Sequence, residues 1–225
     1  ERLNVLLEGD VGCGKTIVAF LCMYYAALNG YQSVLMAPTE ILAFQHYRNA
    51  IDFLEKLGLR CEYVSSSLNK KEREKAIFNI STGNVDCVFG THAVLGDDVE
   101  FRKLALVIVD EQHRFGVAQR AGLENKSKGA DSIVMSATPI PRTLALNLYG
   151  DLERIVIDEM PSRKAEVITK FVPAAKESDM WDYIMKKAES GEQTYVVVPR
   201  ISDDDEDNLS AEAVYEKYKK RFGDK

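Results

Sequence analysis

The sequence lacks the features that mark secreted, membrane and zinc-binding proteins. It contains four cysteines, and no two of them have C-x-x-C spacing, so neither a disulfide framework nor a zinc site is expected. No apolar run approaches the roughly 18 residues needed to cross a bilayer. The first residues show no signal peptide. These absences predict a reduced, cytoplasmic protein with no membrane partner.

The sequence also lacks an excess of positive charge. Its formal net charge is −6, and the acidic run 203–207 supplies most of it. A dedicated nucleic-acid binder has a strongly basic footprint, so the charge counts against that role. It does not exclude the role, because backbone N–H groups and helix N-termini also hold phosphates.

Short β-branched runs alternate with helical patterns along the first two thirds of the chain. This alternation predicts a parallel sheet covered by helices on both faces. Within the helix predicted for 40–57, an apolar stripe is expected to face the core; it consists of Phe44, Tyr47, Ile51 and Leu54. The predicted strands are 5–7, 33–36, 61–64, 86–89, 104–109 and 132–135.

A composition break near Pro161 predicts a first domain over 1–159 and a linker over 160–166. Residues 167–225 are expected to begin a second α/β lobe, with strands at 167–172 and 194–198 and helices at 176–190 and 211–222. About 60 residues are too few to complete such a lobe.

Residues 9–16 fit the motif G-x-x-x-x-G-K-[ST] and closely follow the apolar run 5–7. This arrangement predicts a phosphate-binding loop. Glycines let backbone N–H groups approach phosphates, Lys15 would contact the β and γ oxygens, and Thr16 would offer its hydroxyl to Mg²⁺. The motif therefore predicts nucleoside triphosphate binding. Its residues are Gly9, Asp10, Val11, Gly12, Cys13, Gly14, Lys15 and Thr16.

A second carboxylate motif follows the apolar strand 106–109. The carboxyl ends of parallel strands form the ligand crevice, so Asp110 and Glu111 are expected beside the phosphate loop. Asp110 would hold Mg²⁺, mostly through water, and Glu111 would orient the attacking water. Taken alone, the pattern is also typical of a turn that ends a strand.

The string D-E-Q-H-R-F-G-V at 110–117 resembles the superfamily-2 helicases, and within them the RecG family of ATP-dependent DNA translocases that remodel branched DNA. The resemblance extends over most of residues 3–172 and includes A-P-T-E-I-L-A at 37–43, G-T-H-A at 90–93 and S-A-T-P-I-P-R-T at 136–143. Gln112 favours this family over the related transcription-repair coupling translocases, whose box resembles D-E-E-H.

The resemblance implies a RecA-like P-loop NTPase lobe, followed by the beginning of a second RecA-like lobe, with ATP and Mg²⁺ as cofactors. It implies catalytic roles for Lys15, Asp110, Glu111, Gln112 and His113. It implies DNA contacts at Pro38, Thr39, Glu40, Gly90, Thr91 and His92. It implies coupling of nucleotide to DNA through Ser136, Ala137, Thr138 and Arg142. A plain helix cap at Thr39 and a glycine-permitted turn at Gly90 remain alternatives.

The family also implies parts that this chain does not encode, namely a wedge that recognises the branch point and a second lobe that supplies arginines to the γ-phosphate. The chain is therefore expected to be a monomeric fragment that binds Mg-nucleotide but hydrolyses it poorly. The implied partners are DNA forks, four-way junctions and the rest of its own chain. Three alternatives stay open: the motor lobe of a transcription-repair coupling translocase, a non-helicase P-loop enzyme such as a kinase or transport ATPase, and a nucleotide-dependent switch that does not turn over.

The sequence predicts that a substitution at His113 affects DNA-dependent ATP turnover and not nucleotide binding. In the intact motor, His113→Ala is expected to leave nucleotide binding nearly unchanged while abolishing DNA-dependent turnover, because His113 would pass loss of the γ-phosphate towards Ser136 and Thr138. Parallel measurements of ATP affinity and DNA-stimulated hydrolysis check this. Normal turnover in the variant would contradict it.

Overall fold

The computed structural model describes residues 3–111, 129–137, 153–161, 167–199 and 210–222, which fall into two compact units, Glu1–Ala165 and Glu166–Lys225. The described strands of the first unit are β1 (Asn4–Gly9), β2 (Gln32–Met36), β3 (Cys61–Val64), β4 (Cys87–Gly90), β5 (Leu104–Asp110), β6 (Asp131–Ser136) and β7 (Glu153–Ile157). Its helices are α1 (Lys15–Leu28), α2 (Glu40–Leu54) and α3 (Lys70–Thr82), with 3-10 turns at Glu55–Leu57 and His92–Leu95.

These strands form one sheet in the order β3-β4-β2-β5-β6-β1-β7, and every pairing is parallel. The six strands predicted between residues 5 and 135 are present with shifts of one or two residues at their ends. The predicted parallel sheet is therefore confirmed. β6 lies between β1 and β5, so three strand ends meet where the sequence places its phosphate and carboxylate motifs.

Alternating strand residues pack on opposite faces of the sheet, as the period of two requires. On one face, Leu35 of β2 and Ile108 of β5 pack with Phe20 of α1 and Leu54 of α2. On the other face, their chain neighbours Val34 and Val107 belong to a second cluster that includes Ala76 and Ile80 of α3. Both faces are thus covered by helices, and the alternation of apolar residues becomes two separate cores.

The buried stripe of α2 differs from the predicted one. The buried residues are Ala43, His46, Ala50 and Leu54, whereas Phe44 is 47% exposed. Small alanines allow the helix to lie close to the sheet, and the Phe44 ring packs instead at its rim, 5.5 Å from the ring of Tyr63. The buried face of α2 is therefore rotated by about one residue relative to the predicted face. The prediction that Phe44 faces the core was wrong.

The second unit contains two helices among its described residues, α4 (Glu177–Glu189) and α5 (Ala211–Phe222), preceded by a 3-10 turn at Ala174–Lys176. They pack through the rings of Trp181 and Tyr218, whose centroids lie 5.7 Å apart. Both helices match their predicted ranges within one residue.

The two strands predicted for this unit are not formed, so those predictions were wrong. Residues 167–172 and 194–198 have no ladder partner among the described residues, and the side chains of Phe171 and Val197 are each 91% exposed. Their apolar composition suits a strand, but a strand requires a neighbouring chain to take its backbone N–H and C=O groups. No helix of the described residues is long and apolar enough to cross a membrane.

A matched pair of leucines tests the packing of α2 against the sheet. Leu54 is fully buried and Leu57 is 44% exposed, three residues further along the chain. We expect Leu54→Ala to lower the free energy of unfolding by about 2–5 kcal/mol, because it leaves a cavity in the core. Leu57→Ala should cost less than about 1 kcal/mol. Urea unfolding of both variants checks this, and equal losses would contradict the assignment.

Candidate nucleotide-binding site

The predicted phosphate loop connects β1 directly to α1. Gly12 and Gly14 have φ angles of 83° and 107°, which residues with a Cβ rarely adopt, so glycine is required at both turns. Gly14 precedes the first helical residue, and no side chain caps this end of α1. The N–H of Ile17 already donates to the carbonyl of Gly14 at 3.1 Å, and the N–H groups before it point out of the helix end, where they suit an anion.

Lys15 is the cation of this loop. Its Nζ donates to the carbonyl oxygens of Gly9 at 2.7 Å and of Asp10 at 3.1 Å. The ammonium is thus folded back on the loop that carries it. Phosphate oxygens would offer charged acceptors in place of these neutral carbonyls, and charge-assisted hydrogen bonds are the stronger ones.

Cys13 packs inside the loop. Its side chain is buried, and a Cβ added at Gly9 would lie 2.5 Å from its Sγ. Glycine at position 9 and a small side chain at position 13 therefore fit each other. The backbone, rather than the thiol, is left for phosphate contacts.

A cavity of about 440 Å³ adjoins the loop. Backbone and side chains of the loop form one wall, and apolar and amide side chains of two helices form the other. The side chains that line it include Lys15, Thr16, Ile17, Phe20, Asn49 and Phe53. The loop therefore opens onto a space large enough for part of a small molecule.

Asp110 and Glu111 lie at the end of β5, as predicted. Asp110 is in register with Met135 of β6, and Met135 is also in register with Leu7 of β1. The carboxylates are therefore separated from the phosphate-loop strand by a single strand. Adjacent strands lie about 4.8 Å apart, so the two motifs share one edge of the sheet.

Glu111 connects this edge to the end of β6. Its φ of 51° lies in the left-handed region, which is uncommon for a residue with a side chain. Its N–H donates to the carbonyl of Met135 at 2.9 Å, and its Oε1 accepts from the N–H of Ala137 at 3.1 Å. The strained backbone thus directs Glu111 towards the segment expected to couple nucleotide to DNA.

The predicted coupling set is only partly described by the structure. Ser136 ends β6 and is buried, and Ala137 contacts Glu111. Gln112, His113, Thr138 and Arg142 lie outside the described residues, so their roles stay predictions.

His46 was missed as a site residue. Its Nε2 lies 2.9 Å from Oδ2 of Asp110, although the two residues are 64 positions apart in the sequence. No local pattern in the sequence shows that position 46 faces a carboxylate. The core stripe predicted for α2 did not include this position, so nothing in the sequence indicated that His46 is buried.

The residues predicted to contact DNA form two segments at the carboxyl end of β2 and β4. The N–H of Ala37 donates to the carbonyl of Gly90 at 3.0 Å, which joins the segments. Pro38 and Glu40 are half-buried, whereas Thr39 and His92 are exposed. The two segments therefore lie side by side at the carboxyl end of the sheet, although Gly90 and Thr91 are buried there.

Both alternative explanations for these residues also hold. Thr39 Oγ1 caps α2 by accepting from the N–H of Leu42 at 3.3 Å, and Thr91 caps the turn His92–Leu95. Gly90 is required sterically, because a Cβ there would lie 2.2 Å from the carbonyl oxygen of Val64. Caps and turns account for these residues structurally and leave other N–H groups for a ligand.

A helicase lobe is the class that this sheet and these motifs define, and the family comparison agrees. The chain belongs to the DEAD/DEAH box helicase family, whose model matches residues 1–146. Its curated relatives include the ATP-dependent DNA helicase RecG of Thermotoga maritima, 44% identical over 217 residues, a match covering 96% of this chain and 28% of that protein. RecG of Aquifex aeolicus is 43% identical over 226 residues, covering 99% of this chain and 28% of that protein.

A solved structure of RecG bound to a three-way DNA junction matches with a TM-score of 0.77 and 39% identity, over 98% of this chain and 28% of that one. The resemblance to RecG and the RecA-like fold, both predicted from the motifs, are confirmed. The chain spans less than a third of the length of these curated relatives.

The cap at Thr39 gives a test of what its hydroxyl contributes to folding. We expect Thr39→Ala to lower the free energy of unfolding by about 1 kcal/mol, because the N–H of Leu42 loses its acceptor. Thr39→Ser keeps the hydroxyl and should stay close to the parent. Chemical unfolding of both variants checks this, and equal destabilisation by Ser and Ala would refute the cap.

Proposed function

We propose that this chain carries the first motor lobe of an ATP-dependent DNA translocase that remodels branched DNA, reversing stalled forks and moving four-way junctions. The observation that carries the proposal is the meeting of three motifs on adjacent strands, with Glu111 hydrogen-bonded to Ala137 at 3.1 Å. The RecG relatives and the RecG structure with a three-way junction support the choice of branched DNA.

The nucleotide would be ATP, held by the N–H groups of the phosphate loop and by Lys15. The donor set suits Mg²⁺, since Thr16 and Asp110 offer oxygen ligands and this ion is usually held by one or two carboxylates together with phosphates and water. Among the described residues there is no cluster of three or more histidines, cysteines and carboxylates. When bound, Mg²⁺ would neutralise charge developing on the phosphate oxygens.

Glu111 would orient the attacking water. One of its oxygens accepts from the N–H of Ala137, and an ionised carboxylate can accept further hydrogen bonds. Glu111 would therefore contact the water and the segment 136–137 together, so movement of its side chain would alter both. This contact is the described part of a coupling that, by resemblance, continues through Gln112, His113, Thr138 and Arg142.

DNA would lie along the surface formed by the segments 38–40 and 90–92. Support comes from the hydrogen bond between Ala37 and Gly90, which keeps both segments at one edge. Hydroxyl groups and helix-terminal N–H groups suit phosphate oxygens and need no excess of basic residues. Binding to DNA requires that the protein and the DNA are in the same compartment. The expected cytoplasmic location meets this requirement.

The domain division we propose is a motor lobe over 1–159, a linker over 160–166 and the start of a second lobe over 167–225. The exposed apolar segments 167–172 and 194–198 support it, because strands of a completed lobe would give them partners. The remaining partners would be the wedge and the rest of the second lobe of the whole, monomeric protein. Arginines supplied across the cleft are worth about 10³–10⁵ in rate, so this chain alone should hydrolyse ATP poorly.

ATP binding and turnover, measured with and without a model fork, test the nucleotide site. We expect Mg-dependent ATP binding by the parent chain and a loss of about tenfold or more in affinity for Lys15→Ala, because hydrogen bonds to charged groups are lost. Lys56→Ala removes an exposed lysine from the turn after α2 and is the matched control.

Binding that Lys15→Ala leaves intact would overturn the proposed site. Fork-stimulated turnover by this chain would contradict the expected need for a second lobe while supporting the motor.

In an intact motor, Glu111→Gln should trap ATP without hydrolysis. Unchanged turnover in that variant would favour a nucleotide-dependent switch in which Glu111 is dispensable.

A further inference from the structure

His46 lies in the middle of α2 and is 8% exposed. Its Nε2 lies 2.9 Å from Oδ2 of Asp110. An ionised carboxylate only accepts hydrogen bonds, so Nε2 carries the hydrogen and donates it to Asp110. The contact fixes one oxygen of the carboxylate that the proposed function assigns to Mg²⁺.

The other ring nitrogen of His46 is buried and finds no hydrogen-bond partner among the described residues. Burial of an unpaired polar atom is unfavourable, and its neighbours on this helix face, Ala43, Ala50 and Leu54, are apolar. Packing therefore gives no reason for a histidine here. The hydrogen bond to Asp110 is the polar contact that explains a histidine at this position.

We propose that His46 is a positioning residue that holds the Asp110 carboxylate for the metal of the nucleotide complex, an inference that rests on the proposed function. By binding Oδ2, the imidazole limits rotation of the carboxylate and leaves Oδ1 for the ligands of the metal. Groups that orient a metal-binding carboxylate strengthen metal affinity without touching the ion. His46 would therefore act on metal binding and leave metal-free nucleotide binding unchanged.

Mn²⁺ is a suitable probe because its bound and free forms are distinguished by electron paramagnetic resonance. The dissociation constant of Mn²⁺ is measured for the 225-residue chain saturated with a non-hydrolysable ATP analogue. His46→Leu fills the space without a donor, and His46→Gln keeps an N–H donor. Asp52→Asn, at an exposed position of the same helix, is the matched control.

We expect His46→Leu to weaken Mn²⁺ binding by about 10–100-fold, the usual effect of removing a group that orients a metal ligand. His46→Gln should recover most of the affinity, and Asp52→Asn should match the parent. Analogue affinity in the presence of a chelator should be the same in all variants. In an Asp110→Asn background, His46→Leu should have no further effect, because the carboxylate it orients is gone.

Equal Mn²⁺ affinity in His46→Leu and the parent, with a loss in Asp110→Asn, would overturn this inference and leave the proposed function standing. Failure of Asp110→Asn to weaken Mn²⁺ binding would overturn the proposed metal site and the inference with it. Thermal unfolding checks that His46→Leu is folded. If it is not, His46→Met replaces it, because a flexible thioether fills irregular space and supplies no N–H donor.

Discussion

β6 forms parallel hydrogen-bond ladders with β1 on one side and β5 on the other, and Met135 is the register partner of both Leu7 and Asp110. The register of a ladder determines where the end of each strand lies relative to its neighbour. This double pairing therefore places the phosphate loop, the carboxylates and the end of β6 side by side at the carboxyl end of the sheet. A slip of one residue would turn every side chain to the opposite face. The two apolar cores on either side of the sheet prevent that slip.

The next strand beyond β1 adds a second constraint close to the loop. Glu8 is buried one residue before Gly9, and its Oε2 accepts from the guanidinium of Arg154 on β7 at 2.8 and 2.6 Å. A buried carboxylate without such a partner would be strongly unfavourable. β7 therefore does more than extend the sheet, because it neutralises a charge at the base of the phosphate loop.

Local patterns predicted much of this arrangement. The loop 9–16 and the strand ending at Asp110 were found from the sequence because glycine, lysine and an apolar strand carry their own geometric requirements. The face of α2 was wrong by about one residue, since Ala43 and Ala50 are weak apolar signals beside Phe44, yet only small residues fit against the sheet. The strands at 167–172 and 194–198 failed because β propensity describes a segment, whereas a ladder needs a partner.

His46 shows why the site could not be completed from the sequence. Its contact with Asp110 depends on the packing of α2 over β5, and no spacing rule connects residues that are 64 positions apart. The residues predicted to contact DNA raise a different difficulty, since a helix cap explains Thr39 and a close backbone approach explains Gly90 equally well. Ligand contacts there are proposed from the resemblance.

The position of His46 along α2 has a mechanical consequence. Thr39, at the start of the helix, and His46 are seven residues apart, which is about two turns or 10 Å of a rod that is stiff along its axis. In the proposed motor, a displacement at the start of α2 would therefore also shift His46, which is hydrogen-bonded to Asp110. One stiff helix would then connect a residue proposed to contact DNA with the carboxylate proposed to hold the metal.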